Sequence, residues 1–385
     1  MLTSGIDLLN FKGKKKNLKI RKKLKILLKN KDQVIKSLTL DYKDSFNSKK
    51  LINYKKFLNF RVIGMGGSTL GTQAIYDFLN HKIKKKFKFI DNLQTSFIKQ
   101  DNKKKYSNII VSKSGNTIET IVNANIIINK KDKNIFITEN KKSYLFELSQ
   151  KLKAEIIYHN NFIGGRYSVL SEVGMLPAEL MGLNPNSFRQ LNNLVKNKNF
   201  LNNLVQNVNS TLFFIKKKKF NSIIINYDQS SDNLFKWYQQ LIAESLGKKS
   251  KGLLPIISTM PKDNHSVMQL YLDGFKNNFF TFFYVKEQKK IKINNKKVLL
   301  SKKFLRNKSI KEIIFSQKKA TENVFKKKNI PFRSFEIKKR NEKTLGELFC
   351  FFILETILIG RALNLNPYDQ PAVELIKKET QKILI

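Results

Sequence analysis

Residues 59–63, Asn-Phe-Arg-Val-Ile, run straight into Gly64-Met65-Gly66-Gly67-Ser68 and then into a helical pattern through Tyr76 and Leu79. A short apolar run that ends on a glycine turn and opens a helix is the unit of a parallel sheet, because strand and helix each bury one side against the other. The unit recurs. A strand over 107–112 precedes a helix over 116–128, a strand over 134–138 precedes a helix over 143–152, and a further strand covers 154–159. After a loop carrying Gly164-Gly165-Arg166-Tyr167-Ser168, helical segments extend to about residue 215, with Asn184-Pro185-Asn186 marking a helix start and a boundary. The theme then returns as strand 222–227, helix 232–246, apolar run 253–257, helix 265–272 and strand 279–285. These spacings predict an α/β fold of two doubly wound αβα-sandwich domains with parallel sheets, over 58–185 and 186–343. A helical arm over 1–57 precedes them, and helices over 344–385 follow them.

A chain of 385 residues has room for two cores, and its 41% apolar content argues against disorder. The formal charge of +45 invites a polyanion-binding reading. Only eight of the 74 basic residues are Arg, however, and the lysines are spread along the chain rather than gathered for bidentate phosphate or base recognition. No specific nucleic-acid or membrane partner is therefore expected. The single cysteine, Cys350, lies in an apolar run and reads as core in a reducing, cytoplasmic setting. His81, His159 and His265 are too scattered for a zinc site, and neither metal nor cofactor is expected. The first residues show no export signal, and the apolar stretch 348–359 is too short to span a bilayer.

The turn at Gly64–Ser68 lacks the third glycine of a dinucleotide fingerprint, since Thr69 occupies that position. Its amides, including that of Gly67, and the Ser68 hydroxyl can face a phosphate, although alone the turn is equally a structural one. Ser112-Lys113-Ser114-Gly115-Asn116-Thr117 is a stronger signal, because it follows a strand, opens a helix and is rich in hydroxyls and an ammonium. Asn116 and Glu119 also have capping-box spacing. Arg166 between small residues suits close approach to a ligand, or else a buried ion pair. Glu244 closes the helix over 232–246 beside a glycine turn, and His265 follows 21 residues later with Ser266 and Gln269 beyond it. A carboxylate and an imidazole are the two side chains best suited to moving protons near neutral pH, while a helix-end glutamate or a lone histidine can also be merely structural.

Taken in order, Gly-Gly-Arg-Tyr-Ser at 164–168, Glu-Ser-x-Gly-Lys at 244–248, Lys-Gly-x-x-Pro at 251–255, His-Ser-x-x-Gln at 265–269 and Asp-Gln-x-x-Val-Glu at 369–374 resemble the glucose-6-phosphate isomerase family in its shorter bacterial form. The first module is similar to sugar isomerase domains. The resemblance covers roughly 58–275 and 345–380. It departs from the family at Ser114-Gly115-Asn116 and at Ala372, and the lysine-rich stretch 286–340 carries no motif.

The resemblance implies reversible conversion of D-glucose 6-phosphate to D-fructose 6-phosphate in glycolysis and gluconeogenesis. Phosphate is then held by Gly67, Ser68, Ser112, Lys113, Ser114, Thr117 and Gln370. His265 and Lys377 assist ring opening, and Glu244 moves the proton through a cis-enediolate stabilised by Arg166. It further implies a homodimer in which His265 acts across the interface. Two alternatives stay open at this point: a bifunctional phosphoglucose/phosphomannose isomerase, which turnover of mannose 6-phosphate identifies, and a non-catalytic sugar-phosphate sensor, which has no use for Glu244, His265 and Lys377 together.

Overall fold

The computed structural model describes residues 1–11, 18–29, 32–94, 105–129, 132–287 and 291–385. Lysines at 14–16 and residues 288–290 of the motif-free stretch lie outside the described residues. The strands are β1 (Ile6–Leu9), β2 (Asn59–Gly64), β3 (Lys86–Ile90), β4 (Tyr106–Val111), β5 (Lys133–Thr138), β6 (Glu155–Tyr158), β7 (Asn221–Asn226), β8 (Leu254–Thr259), β9 (Asn278–Val285) and β10 (Phe332–Ile337). They form two five-stranded sheets, ordered β3-β2-β4-β5-β6 and β1-β10-β9-β7-β8.

Every pairing in the first sheet is parallel. In the second, β7, β8, β9 and β10 are parallel, and β1 adds to the edge in the antiparallel sense. Central β9, Asn-Phe-Phe-Thr-Phe-Phe-Tyr-Val, is buried at every position, as a strand covered by helices on both faces must be.

Three strands depart from the sequence expectation. The segment 1–57 is not wholly a helical arm, because Ile6 and Leu8 pair with Ile337 and Phe335 while Asp7 reaches Lys338 at 3.1 Å and Lys286 at 3.5 Å. Four residues are too few to show a period. β3 is hidden by lysines: in Lys-Phe-Lys-Phe-Ile the first Phe, Phe87, stacks on Phe60 at 4.7 Å, and the lysines blunt the sheet edge. β10 and the preceding helix Ile310–Lys327 lie inside the motif-free stretch. That helix opens with a full capping box between Ser309 and Glu312.

The helix Glu342–Ala362 is buried at every residue from Thr344 to Gly360, as a helix covered on all sides must be. Its Phe349 meets Trp237 edge-on at 4.8 Å, its Phe352 meets Tyr238 at 4.6 Å, and its Phe351 meets Phe335 of β10 at 5.4 Å. Gly346 is obligatory there, since a Cβ would come within 2.0 Å of the Phe188 carbonyl oxygen. Cys350 is fully buried in this helix, and burial pushes its thiol up to about 12, which makes it packing rather than chemistry. No helix among the described residues is long and apolar enough to cross a membrane.

One charged cluster sits inside this core. Arg333 of β10, 1% exposed, donates from Nη1 to Glu355 Oε1 and Asn207 Oδ1, both at 2.7 Å, and from Nε to Thr281 at 2.9 Å. It joins the second sheet to the central helix.

Candidate active site

In the first sheet the strand order reverses between β2 and β4, since β3 lies on one side of β2 and the later strands lie on the other. Loops at the carboxyl ends of such strands splay apart and leave a crevice, the usual ligand position in open α/β sheets. The two expected phosphate turns occupy that place: Gly64–Ser68 follows β2 and Ser112–Thr117 follows β4. Gly66 and Gly115 adopt left-handed φ of +53° and +68°. A Cβ on Gly115 would come within 2.1 Å of Ser143 Oγ, so only glycine fits.

In the second turn the Ser112 and Thr117 hydroxyls lie 2.9 Å apart, and Ser114 is exposed, with its Oγ accepting from the Asn116 amide. Lys113 donates to the Asn161 carbonyl at 2.7 Å and lies 3.4 Å from Glu139. Thr117 occupies the N-cap of the helix Ile118–Ile127 and makes no side-chain hydrogen bond to its first-turn amides. The expected capping box at Asn116 and Glu119 does not form. Asn116 instead accepts from the Tyr144 amide at 2.9 Å, tying two helix starts together. Ser68 is partly exposed in the first turn.

The first turn packs on the loop that carries Arg166. A Cβ on Gly67 would lie 2.2 Å from the carbonyl carbon of Gly165. We expect Gly67→Ala to lower stability by about 1–3 kcal/mol through overpacking and to displace Arg166, which thermal melting and steady-state kinetics together would reveal.

Arg166 is 1% exposed, and each guanidinium nitrogen is engaged. Nε donates to Ser245 Oγ at 2.8 Å, and Nη1 donates to Glu244 Oε2 at 3.1 Å and to Gln370 Oε1. Nη2 donates to the carbonyls of Pro367 at 2.7 Å and Asp369 at 3.1 Å. The backbone is pinned as well, since Trp237 Nε1 donates to the Arg166 carbonyl at 3.1 Å. Glu244 and Trp237 both lie on the helix Asp232–Leu246, so this one element sets both ends of the pair. The other Glu244 oxygen accepts from Gln240 Nε2 at 2.8 Å, one helical turn back, and the carboxylate remains 28% exposed. A partly exposed, doubly held carboxylate against a buried guanidinium is a fixed base beside a fixed cation.

The model of the family described as phosphoglucose isomerase matches residues 31–385. The chain belongs to the phosphoglucose isomerase family. Glucose-6-phosphate isomerase of Methanocaldococcus jannaschii is 32% identical over 363 residues, covering 88% of each protein. Glucose-6-phosphate isomerase of Mycoplasmopsis pulmonis is 32% identical over 350 residues, covering 84% of this chain and 82% of that one. Among solved structures, a hypothetical protein from Thermus thermophilus superposes with a TM-score of 0.83 at 21% identity, covering 95% of this chain and 94% of that one. A glucose-6-phosphate isomerase from Chlamydia trachomatis superposes with a TM-score of 0.73 at 18% identity, covering 95% and 83%. Both likenesses show the fold described above to be shared with these two solved structures.

Within this family member Arg166, Glu244 and Gln370 converge, but His265 and Lys377 do not join them. His265 ends the short turn Lys262–His265 and is exposed, and its side chain makes no hydrogen bond or ion pair with the described residues. The helix expected to start there begins instead at Met268. Lys377 lies on the helix Val373–Leu384 and pairs with Glu374 at 2.6 Å, with both side chains more than half exposed. Every residue of that helix is exposed, so its sequence fixes its period and not its position. Ser245, Tyr167 and Gln240 belong to the site without having been expected there. Tyr167 Oη lies 2.9 Å from Ser245 Oγ and donates to the Pro367 carbonyl at 3.0 Å. Their signal in the sequence is adjacency to the motifs at 164–168 and 244–248.

Proposed function

We propose that the chain interconverts D-glucose 6-phosphate and D-fructose 6-phosphate through the Arg166–Glu244 pair. The observation that carries this reading is the Glu244 carboxylate held 3.1 Å from Arg166 Nη1 and 2.8 Å from Gln240 Nε2, a side chain that itself lies against Gly66 of the turn after β2. In the open-chain substrate Glu244 takes the proton from the carbon beside the carbonyl, C2 of the aldose or C1 of the ketose. The electron pair moves onto the carbonyl oxygen, giving an enediolate. The proton of the adjacent hydroxyl shifts to that oxygen, the adjacent oxygen becomes the new carbonyl, and the proton on Glu244 returns to the former carbonyl carbon. Arg166 stabilises the oxygen that gains charge, and a buried guanidinium does so without reorganising at the moment of reaction. The hydroxyls and amides of Gly67, Ser68, Ser112, Ser114 and Thr117, with Lys113 and Gln370, hold the phosphate.

A coupled assay on fructose 6-phosphate tests the activity. Formation of glucose 6-phosphate that persists in EDTA supports a metal-independent isomerase, and its absence with well-folded protein refutes it.

His265 and Lys377 serve ring opening in this proposal, and His265 does so from the partner subunit of a cytoplasmic homodimer. Support comes from the exposed His265 side chain, which has no hydrogen-bond partner among the described residues. The exposed Val373, Leu375, Ile376, Ile383 and Leu384 on the last helix add an uncovered apolar face. Mixing Glu244→Gln and His265→Ala subunits checks it. If His265 acts in trans, each mixed dimer holds one intact site and random exchange restores about a quarter of wild-type activity. If it acts in cis, mixing restores nothing.

A further inference from the structure

We propose that Lys248 is a positioning residue that seats the segment 366–370 on Arg166, so that Gln370 stays at the site only while this lysine holds the chain. The inference rests on the isomerase reading above and adds to it a residue with no assigned role. Lys248 follows the Glu244 helix after a single glycine and opens a tight turn in which Lys248 and Lys251 exchange backbone hydrogen bonds of 3.1 and 2.9 Å. Both central residues, Lys249 and Ser250, are left-handed, with φ of +52° and +55°. That is the backbone of a two-residue hairpin turn, held here without the asparagine or glycine that adopts it without strain. Gly247 alone separates this turn from the helix that carries Glu244.

From it two ammonium groups reach across to the C-terminal chain. Lys251 Nζ donates to the Leu363 carbonyl at 3.1 Å. Lys248 Nζ donates to the carbonyls of Asn366 and Asp369 and to Asp369 Oδ1, so its three N–H groups match three acceptors. Its side chain is only 12% exposed. The hydrogen bond and charge of Lys248 hold the Asp369 carboxyl below its ordinary value.

The segment needs such a device. Residues 366–370 belong to no strand or helix, and none forms a backbone-to-backbone hydrogen bond with the described residues. Their inward carbonyls are taken up by cations instead: that of Asn366 by Lys248, that of Pro367 by Arg166, and that of Asp369 by both. Gln370 follows directly and accepts from Arg166 Nη1. Removing Lys248 leaves two of these carbonyls with fewer donors and the polar tethers of the segment reduced to Arg166 and the Tyr167 hydroxyl.

The test combines kinetics on fructose 6-phosphate with limited chymotryptic digestion of full-length protein, because Tyr368 lies within the segment and is partly buried. Lys248→Met is expected to raise KM by on the order of tenfold, with a smaller fall in kcat, as loss of charged hydrogen bonds to a positioned loop would. Cleavage after Tyr368 should quicken while cleavage within β9 stays unchanged, and Lys248→Arg should restore part of both effects. Because Lys248 acts through Gln370, Gln370→Ala should cost far less in the Lys248→Met background than in wild type. Unchanged cleavage after Tyr368, or Gln370→Ala costing the same in both backgrounds, overturns the proposal. Absence of wild-type turnover refutes the isomerase reading instead, and the digestion comparison still decides whether Lys248 holds the segment.

Discussion

Glu244→Gln is expected to lower turnover of fructose 6-phosphate by about 10²–10⁴-fold, the usual contribution of a positioned general base, while the melting temperature stays near wild type. The substitution keeps shape and removes only the proton-accepting charge. Arg166 retains Ser245, Gln370 and the carbonyls of Pro367 and Asp369, so the guanidinium is not stranded. The new amide also finds a partner, because Gln240 Oε1 is buried without one and a flip of the Gln240 side chain turns it toward position 244. Steady-state kinetics beside thermal melting checks both halves. A variant that keeps most of its activity removes Glu244 from the mechanism, and one that unfolds makes Glu244 structural.

The largest effect on stability is expected at the charged cluster in the core. Arg333→Met should cost about 3–5 kcal/mol, because it leaves the Glu355 carboxylate buried without its counter-charge. Asn207 alone still donates to that oxygen. The double variant Arg333→Met with Glu355→Leu should recover much of the loss, since an apolar pair avoids desolvating two ions. Chemical denaturation of wild type and these two variants measures this. A single-variant cost under about 1 kcal/mol would mean that the cluster is hydrated or readily rearranged.

Much of the fold is legible in the sequence because its strands are short apolar runs followed by glycine or hydroxyl turns. β2, β4, β5 and β7 carry that pattern openly, β9 shows as an unbroken apolar run, and the phosphate turns follow two of them. β1, β3 and β10 are obscured for separate reasons: β1 is too short for a period, β3 alternates phenylalanine with edge lysines, and β10 spends Arg333 and Glu336 on ion pairs. At the site, the motif residues Arg166 and Glu244 can be named from sequence, but their contact cannot. It depends on how the Asp232–Leu246 helix, anchored by Trp237, crosses from one sheet toward the other. Lys377 shows the limit of such reading, because a residue on a helix that is exposed along its whole length has its period written in the sequence and its place written elsewhere.

The central claim is proton transfer by Glu244, and the most direct measurement is turnover of fructose 6-phosphate in D2O with the product examined by NMR. Proton abstraction by a carboxylate that exchanges with solvent predicts deuterium at C2 of the glucose 6-phosphate formed, and no deuterium incorporation by the Glu244→Gln variant. Labelling at C2 that proceeds undiminished in the Glu244→Gln variant would contradict the account.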